Sequence, residues 1–285
     1  LADIRLIRDR IRSIQNIVKV TRSMEMIATT KMRRAQERGR AGHPYIQEMR
    51  KVLAALTGVI SIKKQPHPLL QRRPVNKIAI VHITPDRGLC GGLQTNLNRL
   101  VGNFISEQSA SVVSITVGLK GRDFMKRLGH DIQAEFTQLG DRPSLLDTLP
   151  VSSIIIDDYS SGLVDSVYIA YSQFVSTMIQ KPVLQQVLPI ELVTVSQEQK
   201  SPDYKYEPSP EVVLGSVLPR FIEAQVYNFI LESIASEQSA RMVAMRNATE
   251  NANELIEDLT LAYNKARQES ITKELLDITG GGTTA

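Results

Sequence analysis

A glycine turn, one cysteine and a row of arginines are the residues of this chain with the most chemistry to offer. The segment Thr84-Pro85-Asp86-Arg87-Gly88-Leu89-Cys90-Gly91-Gly92 follows an apolar run and precedes an amphipathic one. A glycine turn between strand and helix can present backbone N–H groups to a pyrophosphate at the helix N-terminus. The spacing of Gly88, Gly91 and Gly92 fits neither G-x-G-x-x-G nor G-x-x-x-x-G-K-S/T, so these glycines are expected to make a tight structural turn. Glu107 falls within the helix after the turn, not after a second strand where a ribose-binding acid belongs. Cys90 would need a base beside it to act as a nucleophile. His43, His67, His82 and His130 are scattered and none neighbours it, so a buried structural cysteine is expected. Metal-ligand spacing is absent, Asp157-Asp158 reads as a helix-surface pair, and no catalytic residue, metal or cofactor is expected.

The arginines and lysines at positions 5, 8, 12, 19, 22, 33 and 34 could hold nucleic-acid phosphates. The same stretch carries a long apolar seam and no base-stacking aromatic, so no nucleic acid is expected, and acidic protein loops suit this face better. Residues 1–40 hold eleven Lys/Arg against four Asp/Glu, whereas residues 211–279 hold six against eleven. Opposite charge at the two ends predicts that they meet; the alternative is two separately solvated helix faces.

Those residues have to be positioned by elements, and the ends of the chain read as long helices. Ile4, Ile7, Ile11, Ile14, Val18 and Thr21 are spaced 3-4-3-4-3, a heptad seam. Glu25 breaks the register, and the stripe resumes as Met24, Ala28, Met32 and Ala35. A helix of at least 38 residues is predicted; Gly39, Gly42 and Pro44 would end or bend it before the pattern returns at Ile46, Met49, Val52, Leu53 and Leu56. At the other end Met245, Ala248, Ala252, Leu255, Leu259, Ala262 and Ala266 repeat at 3-4-3-4-3-4, then shift to Ile271, Leu275 and Ile278. Val217, Phe221, Val226, Ile230 and Ile234 extend a looser period upstream, where Pro219 favours a kink. Unbroken from Glu211 to Thr279, this helix would be roughly 100 Å long, too long for a compact domain of this mass to cover. Four of the seven predicted seam residues from Met245 to Ala266 are alanine, which predicts a thin rod weakly held by its own core. Such a rod is expected to be enclosed by other chains; the alternative is an inner helix of a bundle.

The middle of the chain changes period. Strands are predicted over Lys77–Ile83, Ser111–Val117, Val167–Tyr171 and Val183–Ile190, with an edge strand over Asp131–Phe136. Helices are predicted from Leu93, around Phe124–Leu128 closed by Gly129, and over Val151–Tyr159. In that last stretch the i, i+3, i+4, i+8 spacing outweighs the strand propensity of Ile154-Ile155-Ile156. Alternating strands and helices predict a small doubly wound α/β domain. The organisation is thus an N-terminal long helix over 1–60, a Rossmann-like α/β domain over 75–205, and a C-terminal long helix over 210–285 reached through a Pro-rich linker. The fold class is α/β with a long antiparallel coiled coil. Apolar residues are 42%, charged residues 22% and aromatics 5%, with no Trp: a globular composition without a wide aromatic platform. The lone cysteine excludes a disulfide framework. The opening Leu1-Ala2-Asp3-Ile4-Arg5 has no apolar core, and no stretch of about 18 apolar residues occurs, so a cytosolic or matrix-facing chain is expected.

Four motifs together resemble one family. Ser23-Met24-Glu25-Met26-Ile27-Ala28 through Lys31-Met32-Arg33-Arg34-Ala35-Gln36 is similar to the N-terminal helix of the γ subunits of F-type ATP synthases. So are Thr84 to Leu93 in the middle, Ala240 to Thr249 in the last helix, and Tyr263 to Gln268 with Ile271 to Leu275 near the end. The resemblance covers essentially the whole chain in order. The insert and cysteine pair of chloroplast-type γ subunits are missing, which puts thiol regulation out of reach and favours a bacterial source.

The resemblance implies a non-catalytic rotor shaft. The terminal helices would stand inside a hexamer of three α and three β subunits, and the α/β domain would sit on the membrane c ring beside ε. The whole would lie peripherally at the cytoplasmic face of the bacterial inner membrane and couple proton translocation to ATP synthesis and hydrolysis. By resemblance, Met24 would meet the acidic loops of β, supported by Arg241, Gln268 and Thr272 of the facing helix, and Arg33 and Arg34 would belong to the same coupling interface. Tyr204, Tyr206 and Glu207 would face the c ring. The alternative from another class is a Rossmann-like nucleotide-binding enzyme with helical extensions, which nucleotide titration would reveal; a third is a free-standing coiled-coil scaffold.

Overall fold

The computed structural model describes residues 2–59, 67–190 and 205–280. Its helices are α1 (Ala2–Val59), α2 (Leu93–Glu107), α3 (Leu119–Leu128), α4 (Leu145–Ser160) and α5 (Pro210–Gly280). The strands are β1 (Lys77–Ile83), β2 (Ser111–Val117), β3 (Ile132–Phe136), β4 (Ser166–Phe174) and β5 (Gln180–Leu188). The chain divides into two compact units, Thr30–Ala240 and Leu1–Thr29 with Arg241–Ala285. The division falls inside both long helices rather than at their ends.

In the first unit the strand order is β3-β2-β1-β4-β5. β1 pairs in parallel with β2 and β4, β2 pairs in parallel with β3, and β4 pairs antiparallel with β5. β1 is buried from Ile78 to Ile83 because both of its faces are covered, which is why it reads as an unbroken apolar run rather than an alternation. Ile78 and Ile80 pack with Leu97 and Val101 of α2 and Met125 of α3. Ala79, Val81 and Ile83 face the other way, into a larger core with Val151, Ile155 and Tyr159 of α4, Leu53 and Leu56 of α1, and Leu214, Leu218 and Phe221 of α5. The helical period of Val151–Tyr159 thus does outweigh strand propensity, helped by a capping box in which Ser144 and Asp147 satisfy each other's backbone N–H. α3 ends at Gly129 in the left-handed region, φ 69°. The two ends of the sheet region are stitched: Ile190 N–H, after β5, donates to the Leu69 carbonyl, before β1, at 3.1 Å.

The break expected at Gly39, Gly42 and Pro44 is absent, and α1 runs unbroken through all three. Arg40, whose carbonyl loses its helical partner to Pro44, is exposed, and so is Pro44 itself. Solvent can satisfy that carbonyl, and the apolar face from Ile46 to Leu56 docks on the core. α5 likewise passes Pro219 as one helix. Buried side chains at about 1.5–3 kcal/mol each, such as Leu214, Leu218 and Phe221, offset a proline cost of about 3 kcal/mol.

The second unit is the helix pair, α1 to Thr29 with α5 from Arg241. Thr21 bonds Thr249 at 2.6 Å and Arg246 pairs with Glu25 at 2.9 Å, so the partners run in opposite directions. On α1, Ile14, Thr21 and Ala28 are buried, with Ile4, Ile7, Ile11, Val18 and Met24 half-buried, as the spacing predicts. On α5 the inward rank is Met242, Met245, Thr249, Ala252, Ile256, Leu259, Tyr263, Ala266 and Ser270. Alternate positions of the expected seam are therefore off by one: Leu255 is 44% exposed and Ala262 is exposed, while Ile256 and Tyr263 turn inward. The alanine-rich interface expected from sequence is replaced by one with larger side chains. The ion pair between the helices also reverses their net charges, since the acid is on basic α1 and the base on acidic α5.

Candidate functional site

The glycine turn after β1 is a joint between elements. Thr84 N–H donates to the Val117 carbonyl at 2.7 Å. Its hydroxyl accepts from Gly121 N–H at 2.7 Å and donates to Val117 at 3.2 Å. Asp86 accepts from Leu119 N–H at 2.9 Å and from Gln138 N–H at 3.1 Å. The first free N–H of α3, where an anion would dock, is thus already occupied by this chain's own carboxylate.

The glycines that this joint requires are Gly118 and Gly121, which sequence reading did not single out. Gly118 has φ +97°, and a Cβ there would stand 2.0 Å from the Thr84 carbonyl oxygen. A Cβ on Gly121 would lie 2.8 Å from the Thr84 hydroxyl and 3.0 Å from His82 Nδ1. Of the expected turn glycines, Gly91 has φ +58°, whereas a Cβ on Gly88 or Gly91 would meet nothing. Gly92 caps α2 without a positive φ, and Leu89 itself takes φ 65°. The legible signal was a Gly-x-x-Gly directly after a strand, read as backbone approaching a neighbouring turn rather than a ligand.

Cys90 is buried against Leu93 and Ala240. His82 is fully buried on β1, edge-on to Phe124 at 6.1 Å between ring centroids, and neither ring nitrogen has a protein partner. Burial pushes its pKa down to about 3, so it is neutral. Among the described residues no group of His, Cys, Asp or Glu is arranged to hold a metal ion.

The residues singled out by resemblance do not form one cluster. In the helix-pair unit Met24 and Arg241 are half-buried, whereas Gln268 and Thr272 are exposed. The Thr272 hydroxyl donates to the Gln268 carbonyl at 2.9 Å. Gln268 follows Arg241 by 27 residues, about 40 Å along α5 at about 1.5 Å per residue. In the α/β unit Arg33 and Arg34 are exposed, and Arg33 donates to Glu37 at 3.0 Å. That pair lies in solvent and adds little to stability. Tyr206 packs partly on the main core, and Glu207 pairs with Lys205 at 3.3 Å, well exposed. Tyr204 and the rest of the first part of the expected linker, residues 200–204, lie outside the described residues.

A family model described as ATP synthase matches residues 3–284. The ATP synthase gamma chain of Dehalococcoides mccartyi is 60% identical over 281 residues, covering 99% of this chain and 98% of the relative. That of Chloroflexus aurantiacus is 48% identical, covering 97% of each. Among solved structures, a chain of the Euglena gracilis mitochondrial ATP synthase rotor aligns with TM-score 0.68 at 20% identity, over 95% of this chain and 99% of that one. A chain from the central stalk and c-ring structure of the Tetrahymena thermophila enzyme aligns with TM-score 0.60 at 24% identity, over 80% and 99%. At such identities the two structures speak for the fold.

Proposed function

The chain belongs to the γ-chain family of F-type ATP synthases, and from that premise we propose how its parts serve the machine. It is a non-catalytic subunit, the central rotor shaft of a membrane-associated complex. No helix among the described residues is long and apolar enough to cross a membrane. The helix pair stands inside a hexamer of three α and three β subunits. The α/β unit, with Tyr204, Tyr206 and Glu207 at its foot, rests on the c ring beside ε. The assembly lies at the cytoplasmic face of a bacterial inner membrane and couples proton translocation to ATP synthesis and hydrolysis. Met24, Arg33, Arg34, Arg241, Gln268 and Thr272 contact or support contact with the catalytic subunits.

One observation carries this reading. Outside its own seam the helix pair exposes Leu6, Ile17, Val20, Met26, Ile27, Leu255, Leu261 and Ile271, each at least 44% accessible. Apolar groups on several sides of a two-helix pair call for a surrounding sleeve, since isolated pairs keep such faces polar. Uneven decoration also gives differential contacts with otherwise equivalent neighbours, which is what shifting their populations requires. The test is co-purification from membranes. Three copies each of two ATP-binding subunits per copy of this chain are expected; a lone symmetric oligomer of this chain would overturn the proposal.

A further inference from the structure

We propose that the last turns of α5 inside the α/β unit are a torque joint, in which two loops fix the rotational setting of the helix by directional hydrogen bonds. The inference rests on the rotor reading above. Ser236, Gln238 and Ser239 are all buried, at 0%, 2% and 0% exposure, an unusual run of polar groups for a core-facing helix. Each has a defined partner in the β4–β5 hairpin or the β3–α4 loop. The Ser236 hydroxyl donates to the Ser172 carbonyl at the end of β4 at 2.8 Å, and Ser239 donates to the Thr177 carbonyl of the β4–β5 turn at 2.8 Å. Gln180 stiffens that turn, its amide donating to the carbonyls of Ser176 and Thr177 and to the Ser239 hydroxyl.

The second loop approaches from another side. At about 100° per residue, Ser236 and Ser239 share one side of α5 and Gln238 points about 130° away. Gln238 donates to Asp141 Oδ1 at 3.4 Å, and Lys31 of α1 donates to Asp141 Oδ2 at 2.6 Å. One carboxylate therefore ties both long helices to the β3–α4 loop. That loop is itself held: Gln138 N–H donates to Asp86, and the Tyr227 hydroxyl donates to the Pro143 carbonyl.

Apolar packing seats α5 in the core but is non-directional, so it fixes the rotational setting of the helix less sharply than a bond of set angle does. A hydrogen bond to a fixed carbonyl weakens steeply once its angle departs from linear. Bonds on two sides of α5 resist twist in both senses, so rotation of the sheet is passed to the helix without slip. The residues serve as positioning groups for the rotor.

The test uses the whole enzyme in sealed vesicles, with Ser236→Ala/Gln238→Ala/Ser239→Ala compared with Ser233→Ala. Ser233 is a buried hydroxyl on the same helix that bonds to neither loop among the described contacts. Hydrolysis by the detached soluble part stays at the wild-type rate in both. Protons pumped per ATP fall at least about twofold in the triple variant only, through loss of the directional bonds. The angular spread of a probe on the α/β unit, watched against the immobilised catalytic part, widens with it. Normal pumping and an unchanged angular spread would overturn the joint. Should the triple variant fail to assemble, Gln180→Ala removes the stiffening of the turn and its bond to the Ser239 hydroxyl while leaving α5 itself unaltered, and the same two readouts decide. If the wild-type probe does not rotate at all, the rotor reading itself fails, a result distinct from either.

Discussion

Thr21 and Thr249 meet hydroxyl to hydroxyl at 2.6 Å inside the seam of the helix pair. Thr249 also donates to the Met245 carbonyl at 2.9 Å, whereas the bond from Thr21 to the Val18 carbonyl is longer, 3.2 Å. The arrangement that satisfies both is Thr21 donating to Thr249 and Thr249 donating to its own helix. Each Thr→Val single variant is expected to lower the stability of the pair by about 1 kcal/mol, and the double variant to cost no more than either single. A double-mutant cycle on thermal unfolding measures this; simple additivity would show that the two hydroxyls are independent.

Gly118→Ala is expected to be among the most damaging single-atom-group changes in the chain. The new Cβ meets a backbone carbonyl that belongs to the central strand connection, and the left-handed φ adds strain of about 1–3 kcal/mol before the clash is counted. Gly88→Ala, with open space around it, should change stability by less than about 1 kcal/mol. Urea midpoints of the two variants side by side check the ordering. Equal midpoints would mean that the joint between β1 and α3 tolerates displacement.

His82 makes the folded chain acid-sensitive in a defined window. Its pKa falls from 6.5 to about 3 through burial, so between those values the unfolded chain binds a proton that the folded chain does not. The contribution of this group is full above pH 6.5 and is lost progressively as pH falls toward 3. His82→Leu should flatten the pH dependence of denaturant unfolding in that window by one proton. An unaltered slope would mean that the folded chain protonates His82 without cost.

Met24→Lys places a cation beside Glu25, where it competes with Arg246, and toward the acidic loops proposed as partners. Assembly and hydrolysis should persist while ATP made per proton falls. Membrane vesicles report that ratio. If Met24 were only a packing residue, thermal stability would drop and the ratio would not.

The legible part of this protein is what strong periodicity fixes. β1 announced itself because a doubly covered strand is apolar at every position, and α4 because Val151, Ile155 and Tyr159 share one face. The seam of α5 was misread because Met245, Ala252, Leu259 and Ala266 belong to two heptad readings, and apolarity alone chose Ala248 and Leu255 over Thr249 and Ile256. The Met245 carbonyl and the hydroxyl of Thr21 make a threonine welcome there. Pro44 misled because local backbone cost says nothing about the core that offsets it. The functional assignment came through whole motifs. Spacing rules favoured a structural role for Gly88, Gly91 and Gly92 but did not reveal that Gly118 and Gly121 carry the closest approach.

The bond from Ile190 to Leu69 changes what the α/β unit is to the rest of the chain. Topologically, the stretch from Leu69 to Ile190 is a ring closed at its own neck, inserted into the connection between the two long helices. The entropy of bringing distant chain segments together grows with the length of loop that must be closed. Here most of that length is retired when the sheet folds, because its entry and exit then lie a hydrogen bond apart. α1 and α5 can thereafter find each other as though joined by a short tether, and insertions on the rim of the sheet leave the length of that tether untouched.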